Sequence, residues 1–114
     1  MPKKNDDLIW QGKDCFSKTV SLYVNERDHI ANDHPVMANN FHAIYETVET
    51  PDAGYTSRDS DSRNVYFKRS GTATYGTKFT TKVVVDYRDP NVAYIVTAFP
   101  QKDEGGNIDE QIFP

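Results

Sequence analysis

The stretch ERDHIANDHPVM, residues 26–37, holds His29 and His34 on the N-terminal side of a proline. An imidazole titrates near neutral pH, so it can both take and give a proton. Two such groups, or one with a hydroxyl, could work on either side of a phosphodiester. Pro35 breaks the helical path at His34 and could aim its ring differently from His29. The ordinary alternative is a pair of surface histidines, and the residue types leave both open. A metal site fits less well. Along one helix the two rings would be about 140° apart, so they would not share a face. The zinc pattern HExxH uses a four-residue spacing and brings its own Glu. No dense Cys, His and carboxylate cluster supplies other ligands, so no metal and no cofactor is expected. A Gly-rich phosphate loop, a dinucleotide fingerprint and a GxSxG motif are all missing from the sequence.

The basic residues are unevenly placed. Net charge is -4 over 114 residues, so the whole chain does not attract nucleic acid. Residues 55–82 nevertheless carry Arg58, Arg63, Lys68, Arg69, Lys78 and Lys82 against only Asp59 and Asp61. Acidic segments flank them on both sides, which can focus an anion on one surface. A phosphate-binding surface would need Lys68, Arg69, Lys78 and Lys82 on one side of the domain. The alternative is a solvated sheet face. Tyr66, Tyr75, Tyr87 and Tyr94 are either core residues or platforms for bases. Thr97 sits inside the otherwise apolar YIVTAF, where a β-branched residue needs no functional reason. His42 reads as a surface residue.

These side chains need a scaffold, and the length suits one domain. Seven Tyr, six Phe and one Trp favour a folded core. Cys15 is the only cysteine, so an internal disulfide is impossible. No apolar run reaches membrane-spanning length, and MPKKNDD lacks the apolar stretch of a signal peptide. A cytoplasmic location, or delivery into the cytoplasm of a target cell, is the expectation.

LIWQG (8–12) and KTVSLYV (18–24) read as short strands turned at Gly12–Asp14. Asn25 and Glu26 signal the start of a short helix that ends before Pro35. Pro35 then starts a second helix, with Val36, Met37, Asn40, Phe41, Ile44, Tyr45 and Val48 on one stripe. Pro51 and Gly54 end it. NVYFKRS (64–70), KFTTKVVVDYR (78–88) and NVAYIVTAF (91–99) read as strands, the last two joined by a turn at Asp89–Pro90–Asn91. Segments 57–63 and 70–76 read as loops, and 101–114 as a weakly ordered polar tail. The order ββααβββ predicts an α+β domain with an antiparallel sheet and its helices on one side. Residues 1–18 read as an N-terminal extension with one strand, and 19–100 as the domain proper.

Five motifs occur in a particular order: HI followed by HP, then TVETPD, VYFKR, TKVVVDYR and YIVTAFP. Together they resemble the phage-associated nuclease-like domains of the Barnase–EndoU–Colicin–RelE group, over roughly residues 19–100. The resemblance implies two helices before a four-stranded antiparallel sheet. It also implies metal-independent cleavage of RNA, with the 2′-hydroxyl attacking the adjacent phosphate. On it, His29 matches the HI position and His34 with Pro35 the HP. Tyr66 and Lys68 match a Y-x-K strand, and Thr97 the hydroxyl of the last strand. Asp33 stands where members often carry Arg, and Val36 where they often carry an acidic residue. The implied roles are acid–base work for His29 and His34 and hydrogen bonds from Thr97 and Tyr66. Arg58, Lys68, Arg69, Lys78 and Lys82 would contact phosphates. The implied partners are RNA, with tRNA among the candidates, and an immunity or antitoxin protein, with no membrane. The competing expectation is a non-catalytic interaction module of a mobile element, which the departures at Asp33 and Val36 and the acidic balance favour.

Overall fold

The computed structural model describes residues 7–69, 71–89 and 91–114. The chain forms strands β1 (Leu8–Lys13) and β2 (Thr19–Tyr23), helix α1 (Val24–Asp33), a 3-10 turn (Pro35–Asn39) and helix α2 (Phe41–Glu49). Strands β3 (Ala53–Ser57), β4 (Arg63–Lys68), β5 (Thr80–Asp86), β6 (Ala93–Gln101) and β7 (Ile108–Phe113) follow. All seven strands join one sheet in the order β1-β2-β6-β5-β4-β3-β7. The α+β class and the hairpin of β5 with β6 agree with expectation. The expected turn residue Pro90, and Ser70 at the head of the 70–76 loop, lie outside the described residues, as does the MPKKND start.

The sheet is larger than the four antiparallel strands the family resemblance implied. Its β2 runs parallel to β6, through Val20↔Ala93 and Ser21↔Tyr94. Two strands escaped the sequence reading. β3 (AGYTS) is short and opens with small residues, and β7 (IDEQIF) alternates poorly. Residues 101–114, expected as a loose tail, instead carry the end of β6 and an edge strand paired with β3. Backbone pairing to an available sheet edge outweighs the polar composition there. Packing helps: a Cβ on Gly54 would sit 3.2 Å from Phe113 Cβ and 2.9 Å from the Tyr66 ring. Only a residue without a side chain lets the Tyr66 ring and the Phe113 side chain approach Gly54 this closely.

The single helix expected after Pro35 is broken in two. The Asn40 side chain donates to the Val36 carbonyl at 2.7 Å, the acceptor an α-helix would reserve for the Asn40 amide. That amide bonds Met37 O instead. Buried Asn40 also bonds Thr74 through both ends of its amide, at 2.7 and 2.9 Å. It thus pins the 71–79 segment to the helical layer. The apolar stripe survives the break, with Met37, Ile44 and Val48 buried and Phe41 and Tyr45 packed against them. Val36, the first residue of the expected stripe, is exposed. Helix α1 begins one residue before the expected cap, Asn25, and stops at His34, whose backbone is non-helical ahead of Pro35.

Both helices cover one face of the sheet. Ile30, Met37, Ile44 and Val48 meet Val20, Leu22, Tyr66, Val83, Val85 and Ile95 there. One end of this core is closed by polar groups. Asp14, buried in the β1–β2 turn, accepts the amides of Phe16 and Lys18, each at 2.8 Å. Its second oxygen accepts the Tyr87 hydroxyl at 2.6 Å, and Tyr87 and Tyr66 share a bond of 2.7 Å. Asn64 donates to the Tyr66 hydroxyl. Burial pushes the Tyr66 phenol up to about 12, so it stays protonated. Removing the carboxylate would take the acceptor from the half-buried Tyr87 hydroxyl and from the Phe16 and Lys18 amides, and so release the turn. Asp14→Ala is expected to lower stability by about 2–4 kcal/mol in urea unfolding. A loss under about 0.5 kcal/mol, the scale of an ordinary surface change, would mean the network does not hold the hairpin to the sheet.

Candidate functional site

The pleat sends alternate residues of β5 to opposite faces. Thr81, Val83 and Val85 turn to the helices, and Lys82, Val84 and Asp86 to the other side. Register then fixes three rows across the open face. Phe67, Lys82 and Phe99 form one, Val65, Val84 and Thr97 the next, and Arg63, Asp86 and Tyr94 the third. Between these rows and the β3–β4 turn lies a cleft of about 190 Å³. Its polar lining comes from Ser57, Asp59, Arg63, Lys82, Thr97 and Asn107, and its apolar lining from Val65, Val84 and Phe99.

Lys82 is buried, 7% exposed, with its ammonium 5.8 Å from the Phe67 ring and 5.5 Å from the Phe99 ring. Aromatic faces attract a cation, which offsets part of the desolvation. Burial pulls its pKa below the ordinary lysine value, while the charge of Asp59 pushes it back up. The connection between β6 and β7 reaches the same group, and Gly105 O accepts a bond from Lys82 Nζ at 3.2 Å. A Cβ on Gly106 would lie 2.6 Å from that nitrogen, and its φ of 92° is one that glycine adopts without strain. Tyr55 holds the connection through Glu104 at 2.7 Å, and the Arg58 amide through Asn107 O at 2.9 Å.

Asp86 is fully buried. Burial alone would raise its carboxyl. The Arg88 amide, the side chains of Arg63 and Ser62 and the Arg88 charge more than offset this and hold it below the ordinary value. Arg63 Nε lies 3.1 Å from Asp86 Oδ2, and Arg88 Nη2 3.6 Å. Asp86 therefore fixes the Arg63 guanidinium beside the cleft.

Of the residues singled out in the sequence, the cleft collects Lys82 and Thr97. His34 stands next to it. Its half-buried ring stacks on Phe99, centroids 4.8 Å apart at 28°. His29 is exposed on α1 and is not among the residues that line the cleft. Tyr66 lies on the helix-covered face, sealed in the core, and does not reach the cleft. Lys68 also points to that face, because it pairs with Thr81 while its neighbour Phe67 pairs with Lys82. It donates to Thr50 O at 2.6 Å. Lys68 and Lys82 thus cannot share the one basic surface considered above. Arg69 is exposed and its guanidinium bonds the carbonyls of Thr77 and Lys102. Arg58 is exposed and bonds Ile108 O. Lys78 is exposed in the turn before β5. Ser57, Asp59 and Asn107 went unnoticed as members of the site, as did the ion pair of Arg63 with Asp86. One signal was available, since KVVVD puts a lysine and an aspartate four residues apart in an apolar strand, hence on one face.

Among the described residues, no group of three or more His, Cys, Asp or Glu side chains is placed to hold a metal ion. No described helix is long and apolar enough to cross a membrane. No protein-family model, curated protein or solved structure matches the chain.

The folded pKa of Asp86 lies below its unfolded value, so it stabilises the fold above the unfolded pKa, ordinarily 3.8. That contribution is lost as pH falls through the folded value. Thermal unfolding of the parent is expected to drop below about pH 4, and less steeply in Asp86→Asn. At neutral pH, Asp86→Ala should cost about 1–3 kcal/mol, since the Arg88 amide and the Arg63 guanidinium lose a charged acceptor. Parallel acid limbs for parent and Asp86→Asn would remove Asp86 as the source.

Proposed function

We propose that the open-face cleft receives a phosphate of single-stranded RNA, and that the chain is a metal-independent ribonuclease-like domain. The observation that carries this reading is Lys82, a buried cation in a cleft with Arg63 and Thr97, walled by Phe99, on which the His34 ring stacks. In this reading, Lys82 exchanges the Gly105 carbonyl for a non-bridging phosphate oxygen. Arg63 supplies a second charge, and Thr97 and Ser57 supply hydroxyl donors. Such donors, fixed in a partly dry site, stabilise charge that develops on phosphorus-bound oxygen. His34 takes the proton of the 2′-hydroxyl as that oxygen bonds to phosphorus. The bond from phosphorus to the 5′-oxygen breaks, and the leaving oxygen takes a proton from water. The products are a 2′,3′-cyclic phosphate and a 5′-hydroxyl, with no redox change. The order of motifs shared with the Barnase–EndoU–Colicin–RelE group supports the same chemistry. A toxin or phage-encoded nuclease with an immunity or antitoxin partner is the setting that resemblance suggests.

A second reading has its own support. His29 faces outward, and the Lys82 ammonium already has a carbonyl partner. A module that binds RNA or a protein without cutting fits both facts.

Total RNA and purified tRNA, incubated with the protein in excess EDTA, separate the two. Cleavage is expected, and His34→Ala should slow it by about 10²–10⁴-fold, the range for a positioned acid or base. RNA affinity should change little in that variant. Lys82→Met, which keeps the volume, should weaken binding to all sequences alike. It should also flatten the dependence of log K on log salt by roughly 0.7 for one lost phosphate contact. Binding without cleavage would establish the module reading. Neither binding nor cleavage by a folded protein would overturn both.

A further inference from the structure

We propose that Asp59 makes the cleft selective for an internal phosphodiester and against a terminal phosphomonoester; this rests on the phosphate reading above. The two ligands differ by one charge. A diester carries one negative charge at neutral pH, whereas a monoester, with a second pKa near about 6, carries close to two.

The charges around the cleft suit one. Arg63 is bound through Nε to the fully buried carboxylate of Asp86, so much of its charge is already answered. Arg88 also approaches Asp86 but lies 69% exposed, where solvent screens it. Lys82 is then the principal cation of the cleft. Asp59 lines the same cleft and acts on the Lys82 ammonium across it. The remaining polar lining, Ser57, Thr97 and Asn107, is uncharged. One negative charge can pair with Lys82 and take neutral donors for its other oxygens. A second charge gains little more from Lys82, because Asp59 repels it. Asp59 is exposed and set at the rim, where its amide bonds the Ser57 hydroxyl at 3.1 Å. Its carboxylate is therefore not needed to hold the fold. Selection of this kind favours attack within a strand over processing of phosphorylated ends.

Thymidine 3′-phosphate and its methyl ester test this directly. They differ by the one charge and lack the 2′-hydroxyl needed for cleavage. Each is titrated into the protein at about pH 7.5, where the monoester is mostly dianionic. Binding is followed by NMR shifts of Thr97 and Lys82. The parent is expected to bind the methyl ester at least as tightly as the monoester. In Asp59→Asn the monoester should gain about three- to five-fold relative to the ester, the scale of an exposed charge pair. Asp61→Asn, in the same turn but outside the cleft lining, should leave the ratio as in the parent. An unchanged ratio in Asp59→Asn, or a parent that prefers the monoester, overturns the role of Asp59 and leaves the phosphate reading intact. If neither compound shifts the cleft resonances, the phosphate reading falls and this inference falls with it.

Discussion

Strand β5 buries two opposite charges on one face, Lys82 and Asp86, and much of the open side of the sheet is arranged to satisfy them. An isolated buried ion is costly, so each must find partners close by. Asp86 takes Arg63 from β4 and the Arg88 amide from its own strand end. Lys82 takes two aromatic faces, one from each neighbouring strand, and a carbonyl from the connection to β7. Had β5 slipped by one residue against its neighbours, both charges would lie in the helix-covered core. The register is therefore fixed by electrostatics on one face as firmly as by Val83 and Val85 on the other.

The two faces divide the labour. The helix side is closed by apolar packing and by the Asp14–Tyr87–Tyr66 chain, which ties the first hairpin to strands distant in sequence. Raised phenol pKa values keep those hydroxyls neutral and bonded. The open side has no helical cover and keeps a cleft. Its walls are made rigid by cross-strand rows, and its rim by the β3–β4 turn and the 102–107 connection. Side chains held on strands, as Arg63, Lys82 and Thr97 are, keep their places better than side chains on loops.

His34 links the layers. Pro35 ends α1 at this residue, and the freed ring lies against Phe99, which also lines the cleft. The HP pair thus has a mechanical role whether or not the imidazole moves a proton. Asn40 does the corresponding work for α2, giving up helical continuity to hold the 71–79 segment through Thr74.

The sequence by itself determined the α+β class, the first hairpin, the stripe of α2 and the hairpin of β5 with β6. Each of these is a local periodicity or a local stop signal, carried by residues such as Pro35, Val83 and Ile95. It also marked Lys82 and Thr97, though without a reason to separate them from Tyr66 or Lys68. Only the tertiary structure could do that. Strand faces alternate, and which face is covered depends on where helices far away in the chain come to pack. The two missed strands have the same cause: β3 and β7 gain their stability from pairing with partners, as Gly54 does with Tyr66 and Phe113, and not from their own composition. Asp59, Arg63 and Asn107 meet Lys82 only because the pairing of β3 with both β4 and β7 carries two loops to the same end of the sheet. That coincidence is a property of the sheet order, and no spacing within the chain encodes it.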